Sequence, residues 1–264
     1  MTSWLSVEEG KARGGLRLVL TAGVPGPWGE AAKALFHVKK LACPRIPQFG
    51  GQLNPELVTW TGESNAPQAV FEGEPARTHW SQIIFLAERL AADPPLIPED
   101  PDDRALMFGL IHELAGETGF GWSRRLMLLA PLMQLDEDNP GRQSVALLAG
   151  RYGYSQPAAA AAAGRAAEIL ALISRRWKSQ REAGRAFLVG DRLSALDLYW
   201  AAFAALVDPL PHEVCPMPAM LRASYSQKHP LMDEALDPEL LDHRQRIYDD
   251  WLELPIDLGP GFSP

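Results

Sequence analysis

Between residues 92 and 103 the chain reads Ala-Asp-Pro-Pro-Leu-Ile-Pro-Glu-Asp-Pro-Asp-Asp, four prolines and five acids. Proline locks φ and lacks an amide hydrogen, so this stretch is neither a helix interior nor a central strand. A stiff, extended linker is expected, with a different fold on each side of it. At 264 residues the chain is long enough for a buried core in each part. The expected division is a domain over 1–91, a linker over 92–103 and a second domain over 104–264.

The first part mixes two periodicities. Leu16 to Thr21 is a leucine- and valine-rich run ending at Ala22-Gly23-Val24-Pro25-Gly26-Pro27, which predicts a strand and a tight loop. From Trp28 to Cys43 the apolar residues Ala31, Ala34, Leu35, Val38 and Leu41 recur at helical steps, and Pro44 stops the run. Residues 45 to 64 are rich in Gly, Pro and Asn, and only their ends look regular. A short strand over Pro67–Phe71 then turns at Glu72-Gly73 toward a partner near Ala76–Thr78, and Trp80–Leu90 is helical again. A strand–helix pair followed by a hairpin and a helix predicts a small mixed sheet with helices on its faces.

The second part carries only helical periodicity, over Arg104–Glu117, Trp122–Leu135, Ser144–Tyr152, Pro157–Glu182, Ser194–Val207 and Asp237–Leu252. The alanines of 158–163 mark helix propensity and close packing. A net charge of −8 argues against general affinity for nucleic acid or anionic membranes. No stretch is expected to span a bilayer, and Met1 to Leu16 has no signal-peptide pattern, so a cytoplasmic protein is expected. Cys43 and Cys215 form no Cys-x-x-Cys pair and are read as structural. His112-Glu113 lacks a second histidine at zinc spacing, so no metal site is expected.

Three segments, in this order, resemble the glutathione transferase family. Asn65-Ala66-Pro67-Gln68-Ala69-Val70-Phe71-Glu72-Gly73 is similar to the family's cis-proline loop and third strand. Ile83 to Leu90 with the linker after it looks like the end of the family's first domain. Phe187-Leu188-Val189-Gly190-Asp191-Arg192-Leu193-Ser194-Ala195-Leu196-Asp197 resembles its Gly-Asp turn and capped buried helix. Ser194 and Asp197 can cap that helix reciprocally, whatever the ancestry. The resemblance implies an α/β plus all-α molecule: a thioredoxin-like N-terminal domain, then a helical C-terminal domain of the glutathione transferase type. It also implies a homodimer, glutathione as co-substrate, and a small electrophilic substrate in the cleft between the domains.

The family's reactive Tyr, Ser or Cys has no counterpart here. Against the family's Cys-Pro-Phe or Ser-Pro-Phe, this chain has Gly26-Pro27-Trp28, and Gly26 carries no side chain. A thiol must still be brought from a pKa of about 8.5 toward neutrality. The substitutes are the Thr21 hydroxyl and the amides of Trp28 and Gly29 at a helix N-terminus; Trp28 could also stack on a flat substrate or simply pack between sheet and helix. By the resemblance, Ala66 and Pro67 would meet the cysteinyl part of glutathione. Thr78 and His79 stand where the family holds the γ-glutamyl end, with Thr78 as the helix N-cap, a protonated His79 for the carboxylate, and Glu63 or Glu74 for the amine. His112, Glu113, Trp122 and Arg124 or Arg125 would face the substrate, or the arginines lie on a solvated face. The alternatives to a transferase are a non-catalytic binding or assembly protein, and a cleft enzyme performing isomerisation or elimination. Residues 208–238 depart from the family pattern and are expected to lie over the cleft as an insertion.

Overall fold

In a computed structural model, residues 4–260 are described. Residues 1–3 and 261–264, which the expected domain bounds and the N-terminal reading include, lie outside the described residues. Strand β1 (Leu16–Thr21) is the centre of a three-stranded sheet. It pairs in parallel with β2 (Arg45–Gln48), Val19 opposite Ile46, and antiparallel with β3 (Gln68–Phe71), Leu18 opposite Ala69. Because successive side chains point to opposite faces, Leu16, Leu18 and Leu20 enter the large core while Val19 joins Ile46 and Leu57 in a smaller one.

Helices α2 (Pro27–Val38) and α4 (Trp80–Leu90) belong to the first face; α1 (Val7–Ala12) and α3 (Pro55–Thr61) cover the second. Helix α1, strand β2 and helix α3 supply what periodicity did not: β2 and α3 lie in the stretch taken as irregular except at its ends. The expected strand partner at Ala76–Thr78 reduces to one antiparallel bridge, with the Ala69 and Arg77 amides each donating to the other's carbonyl at 2.9 and 2.8 Å. Helix α2 ends at Val38 rather than Cys43; Lys40 turns left-handed at φ 55°, before Pro44 is reached.

The linker is pinned to both halves. The Lys39 ammonium, fully buried, lies 2.9 Å from the Glu88 carboxylate and donates to the carbonyls of Ala91 and Pro94 at 2.7 and 2.9 Å. Leu96 is buried, its amide donates to Glu88 at 2.9 Å, and its carbonyl accepts from the Ala195 amide at 2.8 Å. Asp100 then caps helix α5 (Pro101–Ala115), which begins inside the expected linker.

Beyond it lie α6 (Phe120–Met133), α7 (Pro140–Arg151), α8 (Gln156–Glu182) and α9 (Ala195–Phe203, continued as a 3-10 turn to Leu206). Two short helices, α10 (Ala219–Tyr225) and α11 (Pro230–Ala235), lie in the segment expected to be an insertion, and α12 (Pro238–Trp251) is the last helix among the described residues. Every residue of α9 is buried, and it packs against α2, α5 and α12, joining the two halves in one core. The Asp197 carboxylate accepts from the Ser194 amide and hydroxyl at 2.9 and 2.8 Å, from the Leu188 amide at 2.8 Å, and bonds the buried His243 ring at 2.9 Å. The reciprocal capping box expected of Ser194 and Asp197 is present, and the Asp197 amide also lies 3.2 Å from the Ser194 carbonyl. Helix α8, at 27 residues, is long and apolar enough to cross a membrane by length and composition, contrary to the sequence expectation. One face of it, including Ala166, Ile169 and Ile173, packs into the core against α6 and α11.

Candidate functional site

A cleft of about 890 Å³ runs between the sheet end of the first half and helices α5, α6 and α7 of the second. Its N-terminal wall begins at the loop after β1. Gly26 is the N-cap of α2, and no side chain caps this end. Proline at the first helical position has no amide hydrogen, and the first helical bond runs from the Glu30 amide to the Gly26 carbonyl at 2.9 Å. The amides of Trp28 and Gly29 therefore have no partner among the described residues, and both residues line the cleft. An unsatisfied helix N-terminus favours an anion.

Opposite, the Ala66–Pro67 peptide is cis, as the cis-proline resemblance implies, and both residues line the cleft beside Glu63, Ser64 and Asn65. The Gln68 amide group beneath them donates to the carbonyls of Glu63 and Asn65 at 3.1 and 2.6 Å, holding this loop on the sheet. Glu74, the other acid considered for an amine, is bound by Arg77 and Arg89 at 2.6 and 2.7 Å and does not line the cleft. Glu63 does.

Thr21 lines the cleft, but its one hydroxyl hydrogen goes to Gln48 Oε1 at 2.8 Å. That bond leaves it no hydrogen to give a thiolate. Thr78 lines the cleft without capping α4. The N-cap is His79, whose Nδ1 accepts from the Ser81 amide at 3.3 Å and lies 2.7 Å from the Ser81 hydroxyl. Burial, then the nearby His112, lower the His79 pKa below the ordinary 6.5. The neutral ring that these contacts favour cannot serve as the expected cation for a carboxylate.

The C-terminal wall places His112, Trp122 and Arg125 on the cleft and removes two expected residues from it. Glu113 pairs with Arg165 of α8. Arg124 is wholly buried: its Nε donates to the Leu206 carbonyl at 2.9 Å, its Nη1 touches two methionine sulfurs, and burial lowers its pKa to about 10. Trp28 joins the two walls. Its indole N–H donates to the Ala115 carbonyl at 2.8 Å, and its ring meets Phe203 edge-on at 5.0 Å and Tyr152 at 6.2 Å. The packing role and the cleft-lining role thus belong to one side chain.

Sequence reasoning missed several residues of this site. Trp80, Tyr152 and Arg151 line it, as do Leu221 of α10 and the C-terminal pair Asp257 and Leu258. The C-terminal pair is held by long-range bonds: Arg45 to Asp257 at 2.8 Å and to Glu253 at 2.7 Å, and the Gly23 amide to the Leu258 carbonyl at 2.7 Å. Cys43 and Cys215 are free and buried, which pushes their thiols up to about 12 and about 11.

A thioredoxin-like sheet with cis-Pro67 at its cleft edge, followed by an all-helical part, defines the glutathione transferase fold. No protein-family model matches the sequence, and no curated protein does. Solved structures do match. A glutathione S-transferase of Methylobacterium radiotolerans, in complex with glutathione sulfonate, superposes with TM-score 0.61 at 16% identity, over 89% of this chain and 91% of that one. A glutathione transferase family member from Pseudomonas fluorescens, with two glutathione bound, gives 0.59 at 12% identity over 92% and 93%. The β-etherase LigF from Sphingobium sp. gives 0.56 at 16% identity over 83% and 98%. The chain has the glutathione transferase fold.

Proposed function

We propose that the chain binds glutathione in this cleft and adds its thiol to a small electrophile. The observation that carries the reading is the pairing, across one cleft, of two unpartnered helix-end amides at Trp28 and Gly29 with the Ala66–Pro67 loop. The first would face a thiolate; the backbone at Ala66 would meet the cysteinyl part; and Glu63 is the acid left to meet the amine. Similar structures crystallised with glutathione or its sulfonate support the same ligand.

Titration calorimetry with glutathione, oxidised glutathione and S-hexylglutathione tests the binding. Heat from at least one of them at micromolar-to-millimolar concentration is expected. A folded protein that takes up none of the three overturns the reading.

A second reading is a binding protein without turnover. It is favoured by the bare Gly26 and by the Thr21 hydroxyl committed to Gln48. Turnover of an activated aryl chloride with glutathione, lost on blocking the cleft, decides for the enzyme. Isomerisation or elimination loses support, since Glu113 and Arg124, two of the residues it would use, are engaged outside the cleft.

A further inference from the structure

Arg125, on α6, is half-buried at the cleft and forms no ion pair among the described residues. The chain has 33 acidic residues against 25 Lys and Arg, so a carboxylate partner is easy to supply and none is supplied. The other acids at this cleft are held or stand elsewhere. Glu30 pairs with Lys33 at 2.5 Å and Asp257 with Arg45, while Glu63 and Glu117 are exposed on loops. The Arg125 guanidinium lies 5.6 Å over the Tyr225 ring, and Arg125 and Tyr152 both line the cleft. Tyr225 is fully buried, and its hydroxyl has no hydrogen-bond partner.

Around this cation the wall is aromatic. Trp122 meets Tyr152 edge-on at 4.7 Å, and Trp28 lies 6.2 Å from the same ring. Both indole N–H groups are engaged by backbone carbonyls, Ala115 for Trp28 and Tyr152 for Trp122 at 2.9 Å. The indoles therefore offer a ligand their faces and edges and no donor; the donor beside them is Arg125. Leu148 and Leu221 complete an apolar surface around them. Such a wall rewards a flat apolar body carrying one anionic group.

We propose that the second substrate of this cleft is an aromatic carboxylate that also carries a separate electrophilic carbon for the thiol, its ring against Trp28, Trp122 and Tyr152 and its carboxylate on Arg125. The proposal deepens the glutathione reading by naming the class of the other substrate. A hydrogen bond to a charged group is worth about tenfold or more in affinity.

The test is calorimetry without glutathione, using 2-naphthoate against its neutral isostere 2-naphthamide, with acetate as the non-aromatic anion. Naphthoate is expected to bind at least about tenfold tighter than the amide and far tighter than acetate. In Arg125→Gln the acid and the amide should bind alike; in Arg125→Lys, which keeps charge without the planar fork, an intermediate preference should remain. Equal binding of acid and amide to the wild-type protein overturns the proposal with no variant needed, and so does a preference that persists in Arg125→Gln. Glutathione titrated into Arg125→Gln should bind as in the wild-type protein, so loss of the aromatic acid and loss of glutathione are separate results.

Discussion

Gly26→Cys asks directly whether a glutathione sulfur comes to rest at this helix end. The backbone there lies at φ −66° and ψ 124°, and an added Cβ meets no atom within 4 Å. The substitution should therefore change stability by less than about 0.5 kcal/mol. A helix N-terminus favours an anion by about 0.3–1 kcal/mol and at most about 2. At about 1.4 kcal/mol per unit, a new thiol falls from a pKa of about 8.5 by about 0.2–1.5 units. At about pH 7.5 its thiolate fraction rises from about a tenth to at most about three quarters. Nucleophilicity falls with pKa at a slope of about 0.4–0.5, so the net gain in intrinsic rate stays below about threefold. Any larger acceleration with oxidised glutathione must come from binding over the site. The assay is mass spectrometry of the mixed disulfide over time, with 2-hydroxyethyl disulfide as the small comparator. The native thiols are a quiet background, because burial pushes Cys43 up to about 12 and Cys215 to about 11. Saturable single-site glutathionylation, well beyond threefold faster than with the comparator, is expected. Equal rates with the two disulfides would refute the placement of glutathione over Gly26.

Lys39→Met should cost about 3 kcal/mol in urea unfolding, the low end for breaking a buried ion pair because Glu88 is 20% exposed; a loss under about 1 kcal/mol would show that the linker is not held as described. Gly121→Ala places a Cβ 2.5 Å from the Phe203 ring and 2.8 Å from Trp28, so overpacking should cost about 1–3 kcal/mol; thermal melts check it, and an unchanged Tm would contradict the seam drawn between the halves. Because the His79 pKa is lower folded than unfolded, its contribution is full above about pH 6.5 and fades as pH falls through the folded value. His79→Asn keeps a capping acceptor that does not titrate, so the difference in Tm between variant and wild type should change between about pH 5 and 7 and stay constant above it.

The parts of the fold legible in the sequence were those whose own periodicity is enough. Helix α4 falls on the predicted Trp80–Leu90, and α5, α6, α7, α8, α9 and α12 lie within a few residues of their apolar patterns, whereas α10 and α11 had none. Strand β2 is four residues long and contains Pro47; it exists because Val19 and Leu20 pair with it and Leu57 packs on Ile46. Helix α1 includes Gly10, a poor helix former, buried where a Cβ would lie 2.7 Å from Ile46. No local pattern announces either element, since the reason for each lies in another part of the chain.

The same division runs through the site. Gly26, Trp28, Ala66, Pro67, Thr78 and His79 reach the cleft because each sits at the end of an element whose position the sequence implied. Choosing between Arg124 and Arg125 needed the rotational phase of α6, and apolar pattern could not give it. Phe120, Gly121, Ser123, Arg124, Leu126 and Leu129 are all buried, so more than one face of that helix is covered. Adjacent residues on a helix stand about 100° apart, which is enough to send Arg124 into the core and Arg125 to the cleft. Asp257 and Leu258 were further out of reach, because their place depends on Arg45, more than two hundred residues earlier. The missing side chain at Gly26 was the plainest feature of the sequence, yet its meaning depends on what that glycine leaves exposed. A capping Ser or Asp at this position would compete for the Trp28 and Gly29 amides; glycine leaves both amides open to a bound anion. The residue that looks like a lost catalyst is thus the one that keeps the helix end available.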